Sequence, residues 1–148
     1  MKTTFFFLFC TLAFIIEGCT PLTLRPADFS WPIENALKVD SKGFIEEQRY
    51  AFTLKVKSLF FEEFADSNNV AGKEIRIIRD KLGYVYMTAK KFKNVYVLMT
   101  VEGGMKVENK ILISESGLNA PMFNQKSPNI ELLDTPNKYL LNNKGIVR

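Results

Sequence analysis

Alternation of apolar and polar side chains is the feature of this sequence that most constrains its fold. Between Tyr50 and Lys57, the apolar side chains fall on every second residue, at Tyr50, Phe52, Leu54 and Val56. Successive side chains of a β-strand point to opposite faces, so this period indicates a half-buried strand. The segment from Met105 to Ile113 repeats the pattern, and its apolar set is Met105, Val107, Ile111 and Ile113.

Two other segments, Tyr84 to Ala89 and Val95 to Val101, are apolar on both faces and rich in β-branched and aromatic residues. Such runs are typical of strands that are covered on both sides, so we expect both to be central in a sheet. Further strands are predicted at Ile33 to Val39, in a long segment that begins at Phe44, and at Ile75 to Ile78. Together these segments predict an all-β domain built as an antiparallel β-meander.

A four-residue turn motif separates some of these strands. Asp40-Ser41-Lys42-Gly43 precedes Phe44, Asp80-Lys81-Leu82-Gly83 precedes Tyr84, and Asp134 to Leu140 is a degenerate third copy. In the first two copies, glycine takes the position that needs a positive φ. The segment from Ile75 to Ile113, with its four short strands, resembles one blade of a β-propeller.

The resemblance implies propeller-blade-like units within residues 33–148. A chain of this length holds at most three such units, whereas closed propellers have roughly 4–8 blades. Two alternatives therefore stay open. One is a small meander whose turns coincide, and the other is a partial or oligomerising relative of the propellers.

Two segments fit more than one kind of secondary structure. Residues 58–65 suit either a short helix or the end of a bent strand. Residues 136–143 follow Thr135-Pro136, a cap residue and a proline that favour a helix start, yet Tyr139, Leu140 and Leu141 also suit a strand. The stretch from Ser116 to Asn129 is the longest predicted loop, and we expect it to form a binding surface.

The N-terminus has the three parts of an export signal. Lys2 precedes a twelve-residue apolar run from Phe5 to Ile16, and Gly18 precedes Cys19. The run falls within the roughly 7–15 residues of a signal and short of the ~20 needed to span a bilayer. Ile16-Glu17-Gly18-Cys19 resembles the lipobox of bacterial lipoproteins, in which an aliphatic residue and two mostly small residues precede an invariant cysteine. Glu17 departs from that pattern because it is charged.

The lipoprotein resemblance implies the processing and the location of the mature chain. Residues 1–18 are then a signal peptide that is removed, and Cys19 becomes the diacylated first residue. Thr20 after the cysteine implies the outer membrane. Pro21, Pro26 and Pro32 disfavour regular structure, so residues 19–32 are predicted to be an extended tether and residues 33–148 a single β-rich domain. Phe29 and Trp31 are expected to dock the tether onto the domain or to dip into the bilayer interface.

Composition excludes several classes of function. The chain has no histidine, and its two cysteines are Cys10, which leaves with the signal, and Cys19, which carries the lipid. Histidine-dependent triads and nearly all zinc and copper sites therefore have no ligands here. We expect no cofactor, no metal and no enzymatic activity. The net charge of +4 is mild and spread along the chain; its densest cluster, Lys90 to Lys93, is predicted to be a hairpin tip rather than a nucleic-acid site.

Paired carboxylates are the remaining enzymatic signal. Glu46-Glu47 and Glu62-Glu63 suggest general acid/base chemistry. Adjacent residues face opposite sides of a strand and splay by about 100° on a helix, so neither pair shares a face. We interpret all four side chains as solvated surface glutamates, and a carboxylate-dependent glycan hydrolase is only an alternative.

An unusual aromatic cluster suggests binding instead. Leu59, Phe60 and Phe61 cannot all be buried on one side of a strand, and Met122 and Phe123 lie in the long loop. These five residues are the candidate binding surface. The sequence therefore predicts a lipid-anchored, non-enzymatic protein of the bacterial cell envelope that binds a protein partner or an envelope component. A carrier that holds an apolar ligand or lipid within a curved β-sheet is the alternative.

Overall fold

The computed structural model describes residues 28–147, so the predicted signal, Cys19 and most of the tether lie outside the described residues. Eleven strands and one short helix are found in this range. In chain order they are β1 (Asn35–Lys38), β2 (Phe44–Glu47), β3 (Phe52–Lys55), α1 (Lys57–Phe64), β4 (Glu74–Arg79), β5 (Val85–Ala89), β6 (Asn94–Val101), β7 (Gly104–Leu112), β8 (Met122–Lys126), β9 (Asn129–Asp134), β10 (Asn137–Asn142) and β11 (Gly145–Ile146). The predicted all-β, antiparallel fold class is confirmed.

The strands form three sheets, and none of them closes into a barrel within residues 28–147. The central sheet has the order β1-β4-β5-β6-β7, so β4 to β7 are the four consecutive meander strands predicted for 75–113. A second meander has the order β11-β10-β9-β8, and β2 and β3 form a separate hairpin. β5 is buried over its whole length, as expected of a central strand. β6 is buried only as far as Leu98, so the prediction was wrong for its second half.

The central sheet carries an apolar core on each face, which makes the domain three layers thick. Residues alternate along β4, so Ile77 enters one core and Ile78 the other. The helix-side core lies beneath α1 and the β2–β3 hairpin, and includes Trp31, Ile45, Phe60, Ile77, Met87 and Phe92. The sheet-side core lies beneath β8 to β10, and includes Ile78, Tyr86, Val97, Leu118, Leu132 and Leu141.

A β-bulge in β7 divides its apolar side chains between the two cores. Val97 pairs with Asn109, but Leu98 pairs with Val107, so Glu108 has no directly opposite residue. An extra residue reverses the alternation beyond it. Met105 therefore packs against the helix-side core and Ile111 against the sheet-side core. The sequence pattern had placed both on one face, which is wrong because periodicity does not reveal a bulge.

The long strand predicted from Phe44 is instead the β2–β3 hairpin followed by α1. The chain reverses before Ala51, which has a φ of 52°. Ala65 caps the C-terminus of α1. It has a left-handed conformation, and its N–H donates to the Phe61 carbonyl. Of the two structures that residues 58–65 suit, a short helix and the end of a bent strand, the helix is the one that forms. Over residues 28–147, no helix has the length and apolar character that crossing a bilayer requires.

Of the two structures that residues 136–143 suit, a helix and a strand, the strand is the one that forms. Asn137 pairs with Asp134, so Thr135 and Pro136 form a two-residue reversal and the chain continues as β10. Leu141 on this strand is fully buried in the sheet-side core, and that burial outweighs the local helix-start signal. The predicted loop from Ser116 to Asn129 is also shorter than expected, because Met122–Lys126 forms β8.

The first two copies of the turn motif have the same structure. Asp40 accepts hydrogen bonds from the N–H groups of Lys42 and Phe44, and Asp80 accepts the equivalent bonds from Leu82 and Tyr84. Gly43 and Gly83 have φ values of 88° and 94°. The third copy differs. Its carboxylate, Asp134, accepts hydrogen bonds from the N–H groups of Asn119 and Ala120, outside its own turn.

Candidate functional site

A cleft of about 640 Å³ opens at the end of the central sheet where β4 begins and β5 ends. This volume is within the roughly 300–1,000 Å³ typical of small-molecule sites. All three layers contribute, since α1 lies on one side and the segment that leads into β8 lies on the other. The cleft is lined by Phe60, Phe64, Lys73, Glu74, Arg76, Ala89, Lys90, Lys91, Asn119, Ala120, Pro121 and Met122.

The α1 wall of the cleft is aromatic and is fixed from below. The Phe60 ring meets the Phe92 ring edge-on, with 5.1 Å between centroids, and Phe64 meets Phe92 similarly at 5.6 Å. Phe92 is fully buried, whereas Phe64 keeps 38% of its surface exposed. Met122, 43% exposed, supplies a thioether on the opposite side. An apolar group that enters the cleft therefore meets preformed apolar surface.

Positive charge borders these apolar walls. The Lys73 ammonium lies 5.2 Å from the Phe60 ring centroid and 5.1 Å from that of Phe64, within the range of a cation–π contact. Lys90 and Lys91 are exposed at the β5–β6 hairpin tip. Within residues 28–147, none of these three lysines has a carboxylate oxygen within 4.0 Å of its ammonium.

Arg76 differs from the three lysines because its charge is neutralised. Its Nη1 lies 2.8 Å from an oxygen of Glu34, and its Nη2 lies 2.7 Å from an oxygen of Glu74. Among the residues that the structure describes, Glu74 is the one carboxylate that lines the cleft, and it is already paired with the Arg76 guanidinium. The lysines are left as the uncompensated charges of the site.

The hairpin tip that carries two of the lysines is locked in place. Lys91 has a φ of 71°, which is uncommon for a residue with a side chain. Its N–H donates to the Leu118 carbonyl at 2.7 Å, and the Leu118 N–H donates to the Phe92 carbonyl at 2.8 Å. Gly117 packs so closely that a Cβ there would lie 2.6 Å from the Lys91 carbonyl oxygen. The surrounding contacts thus hold a strained backbone conformation at the cleft.

The opposite wall is held by two carboxylates. Asp134, only 9% exposed, accepts hydrogen bonds from the N–H groups of Asn119 at 3.0 Å and Ala120 at 2.7 Å. Glu34 accepts a hydrogen bond from the Phe123 N–H at 2.7 Å through the oxygen that does not face Arg76. Both flanks of Met122 are therefore anchored to other strands, and the cleft is preorganised.

No family model, curated protein or solved structure matches this chain. The resemblances to lipoproteins and to propeller blades consequently stay predictions. Function must be argued from the geometry of residues 28–147 and from the sequence that precedes them.

The structure brings together two of the five residues predicted to form a binding surface. Phe60 and Met122, which are far apart in sequence, adjoin the same cleft, but only Met122 offers exposed surface, because Phe60 is 1% exposed and packs beneath the wall. Leu59 and Phe123 are buried in opposite cores, at 8% and 3% exposed, so neither contributes to a surface. Phe61 is 59% exposed on α1 but does not line the cleft.

Sequence analysis did not associate the lysines with this site. The Lys90 to Lys93 cluster is a hairpin tip, as predicted, but Phe92 points into the helix-side core while Lys90 and Lys91 line the cleft. The local cluster of charge was therefore a usable signal. Lys73 gave none, because only the tertiary structure places its ammonium over the rings of α1.

The interpretation of all four paired glutamates as solvated surface residues is wrong for two of them. Glu47 is 1% exposed and accepts hydrogen bonds from the Arg49 backbone and guanidinium and from the Asn35 amide. Burial alone would raise the pKa of Glu47, but these donors hold it below the ordinary value. Glu46, its neighbour, is exposed on the other face of β2.

Glu63 is also part of the structure rather than of a solvated face. It accepts hydrogen bonds from the Lys93 N–H at 2.7 Å and from the Asn94 amide and Tyr96 hydroxyl at 2.8 Å each, which ties α1 to β6. Burial raises the pKa of Tyr96, and the bond to Glu63 raises it further. Glu62 instead pairs with Lys110 on the surface. Across residues 28–147, no three potential metal-ligating side chains cluster.

A second, smaller cleft of about 340 Å³ surrounds the docked end of the tether. Trp31 is only 4% exposed and stacks on Tyr50 with 4.2 Å between ring centroids. The Trp31 backbone N–H donates to the Arg79 carbonyl, and the Phe29 backbone N–H donates to the Lys81 carbonyl. The predicted docking of Trp31 onto the domain is confirmed, and its buried ring is not available to a bilayer interface.

Proposed function

We propose that this chain is a lipid-anchored protein of the cell envelope that acts by binding, and that the cleft is its binding site. The observation that carries the proposal is a preorganised cleft whose apolar walls carry lysines without carboxylate partners. The lipobox-like Ile16-Glu17-Gly18-Cys19 supports the anchor. Two or three acyl chains on Cys19 would hold the domain stably, since each buried methylene contributes about 0.8 kcal/mol.

Binding at the cleft has a physical basis in its rigidity. A site pays less conformational entropy on binding when its walls are already ordered. The hydrogen bonds from Asn119 and Ala120 to Asp134, and the Gly117–Lys91 contact, order the two sides in the free protein. The cleft lies between layers, whereas both faces of the central sheet are packed with side chains. If the protein is a carrier, its ligand would be held in the cleft and not within a curved sheet, since both faces of the central sheet are already filled.

The glycan hydrolase alternative draws less support from the geometry. Glu47 is buried with Arg49 while Glu46 faces solvent, and Glu63 accepts three hydrogen bonds while Glu62 pairs with Lys110. Two carboxylates that act on one glycosidic bond must both face the substrate, at a separation of roughly 5–9.5 Å. We therefore propose binding without catalysis.

The anchor is tested by replacing each cysteine separately. We expect a Cys19→Ser chain to lose incorporation of labelled palmitate and to leave the membrane fraction, because the acyl acceptor is gone. Cys10→Ser is the matched control, since Cys10 lies in the predicted signal, and it should retain both properties. Continued labelling of Cys19→Ser would contradict the anchor.

The binding site is tested by photo-crosslinking in intact cells from two positions of similar character. A benzoylphenylalanine at Met122 lies on the cleft, whereas one at Leu82, 69% exposed on the Asp80 turn, lies away from it. We expect a discrete adduct from Met122 and none from Leu82. Equal adducts from both positions, or no adduct from Met122, Phe64 and Ala120 in turn, would contradict binding at the cleft.

A further inference from the structure

We infer that the ligand of the cleft is a small anionic amphiphile, an apolar chain or ring that carries one carboxylate-type or phosphate-type group. This inference rests on the proposed function and adds the chemical class of the ligand. The apolar part would lie against Phe64 and Met122, with the buried Phe60 ring packed next to Phe64. The anionic group would be held by Lys73, Lys90 and Lys91.

Charge complementarity is the first reason. Four cationic side chains line the cleft, and one of them, Arg76, is shared by two carboxylates, Glu74 and Glu34, so four positive and two negative charges leave a net charge of +2. Among the residues that the structure describes, none of the three lysines has a carboxylate oxygen within 4.0 Å of its ammonium. A cleft lined by charge of one sign and walled by apolar groups concentrates ligands of the opposite sign. A neutral ligand would form no ion pair with these lysines, and a cationic ligand would be repelled by them.

The position of Lys73 is the second reason, because it joins the two halves of the site. Its ammonium lies over the rings of Phe60 and Phe64, close to 5 Å from each centroid. An anion bound to Lys73 is therefore within a few bonds of the aromatic wall. A ligand that contacts both the Lys73 ammonium and the aromatic wall must carry its charge beside its apolar portion. Such a molecule is an amphiphile.

The shape of the site favours a small molecule over a docked protein. Stable protein–protein interfaces bury about 800 Å² per partner over a broad surface. The cleft is instead concave, and its volume of about 640 Å³ is that of a small-molecule pocket. Its exposed apolar side chains, Phe64 and Met122, both line this one concavity.

The test uses the full lipidated chain in nanodiscs of neutral phosphatidylcholine, with three octyl compounds that differ only in charge. Calorimetric titrations with octanoate, 1-octanol and octylammonium are corrected with empty nanodiscs. We expect octanoate to bind most tightly and octylammonium least. The octanoate affinity should fall as salt is added, because salt screens exposed charges, while the 1-octanol affinity stays constant.

Two sets of variants assign the preference to named residues. Lys73→Gln, Lys90→Gln and Lys91→Gln combined should weaken octanoate binding roughly tenfold, since each exposed ion pair contributes a fraction of that factor. Binding of 1-octanol should not change. The matched control combines Lys55→Gln, Lys126→Gln and Lys138→Gln, which remove the same charge from exposed strand positions outside the cleft. It should retain the octanoate affinity, and circular dichroism checks that both triple variants are folded.

The outcomes separate this inference from the proposed function. Equal binding of octanoate and 1-octanol, with no effect of the lysine variant, would overturn the anionic preference and leave the cleft as a binding site. Phe64→Ala with Met122→Ala should weaken both octanoate and 1-octanol. If that double variant binds both like the wild type, or if no octyl compound binds at all, the inference fails. The proposed function itself is tested separately, by whether benzoylphenylalanine at Met122 forms a discrete adduct in intact cells.

Discussion

At the scale of single residues, the domain buries carboxylates whose charge the sequence pattern assigned to solvent or to turns. Glu47, Asp80 and Asp134 are each at most 9% exposed. Such burial is tolerated because every one of them accepts several hydrogen bonds from N–H or O–H donors. Asp80, for example, accepts from two turn amides and from the Tyr86 hydroxyl at 3.0 Å. Burial, together with the Asp80 charge, raises the pKa of Tyr86.

Glu47 provides the residue-scale prediction. Its folded-state pKa lies below the ordinary glutamate value of 4.5, so its charged form stabilises the fold above that pH and this contribution is lost as the pH falls further. We expect Glu47→Gln to lower the free energy of unfolding by about 1–3 kcal/mol near neutral pH, because a charged acceptor of several hydrogen bonds is lost. Urea titrations monitored by Trp31 fluorescence measure the change.

The pH dependence gives the sharper form of this prediction. The difference in unfolding free energy between wild type and Glu47→Gln should be constant well above pH 4.5 and should shrink as the pH falls below that value, because the folded-state glutamate then takes up its proton. Glu46→Gln is the matched control, since Glu46 is exposed on the opposite face of the same strand. It should change stability by less than about 0.5 kcal/mol. A constant Glu47 difference at all pH values would show that the charge is not the cause.

At the scale of elements, the cleft depends on one close contact between the β5–β6 hairpin tip and the segment before β8. Lys91 donates its N–H to Leu118, and Gly117 lies against the Lys91 carbonyl. The hairpin tip belongs to the central sheet and the segment before β8 leads into the second meander, so this contact sets the distance between Lys90 and Lys91 on one element and Met122 on the other. Its geometry depends on a glycine, because Gly117 has a φ of 83° and no room for a side chain.

The element-scale prediction concerns that glycine. We expect Gly117→Ala to destabilise the domain by about 1–3 kcal/mol, since the added Cβ meets backbone and the φ is unfavourable. Gly72→Ala is the matched control: Gly72 has a φ of 75° but nothing within 4 Å of the added Cβ. It carries only the conformational cost, about 1 kcal/mol. Equal losses in thermal or urea denaturation would contradict a role for the contact with Lys91.

At the scale of the whole molecule, the central sheet makes the two cores interdependent. β4, β5 and β6 each send side chains into both, so neither core can lose its order without exposing the other face of the same strands. Polar ties reinforce this coupling, because the Gln125 amide of β8 donates to the carbonyls of Trp31 and Arg79. The three layers are therefore expected to unfold as one cooperative unit.

Trp31 makes this cooperativity measurable, since it is the one tryptophan of the chain and lies in the helix-side core. Leu132→Ala alters the sheet-side core, where Leu132 is fully buried. We expect a loss of about 2–5 kcal/mol and the same shift of the urea midpoint by Trp31 fluorescence as by circular dichroism. Leu82→Ala, at an exposed turn position, should leave both midpoints unchanged. A shift seen by circular dichroism alone would mean that the layers unfold separately.

Local sequence determined the class of fold and much of its punctuation. Period-two alternation, apolar runs and the Asp-x-x-Gly turns predicted antiparallel strands, a buried β5 and the ends of β4, because these features depend on residues close in the chain. The same local rules predicted the reversal at Lys90 to Lys93, whereas the burial of Trp31 was decided by the tertiary structure. They failed at Glu108, where a bulge changes the register, and they left 136–143 open between helix and strand until pairing with β9 decided it.

Only the tertiary structure decided where the candidate site lies. Phe60 and Met122 were both selected from sequence, but their meeting across one cleft, and the exclusion of Leu59 and Phe123, depend on which strand face points into which core. Lys73 became a candidate ligand-binding residue solely because it lies over the rings of α1. Periodicity is a property of neighbouring residues, whereas a binding site joins distant ones through layer packing that no short stretch of sequence encodes.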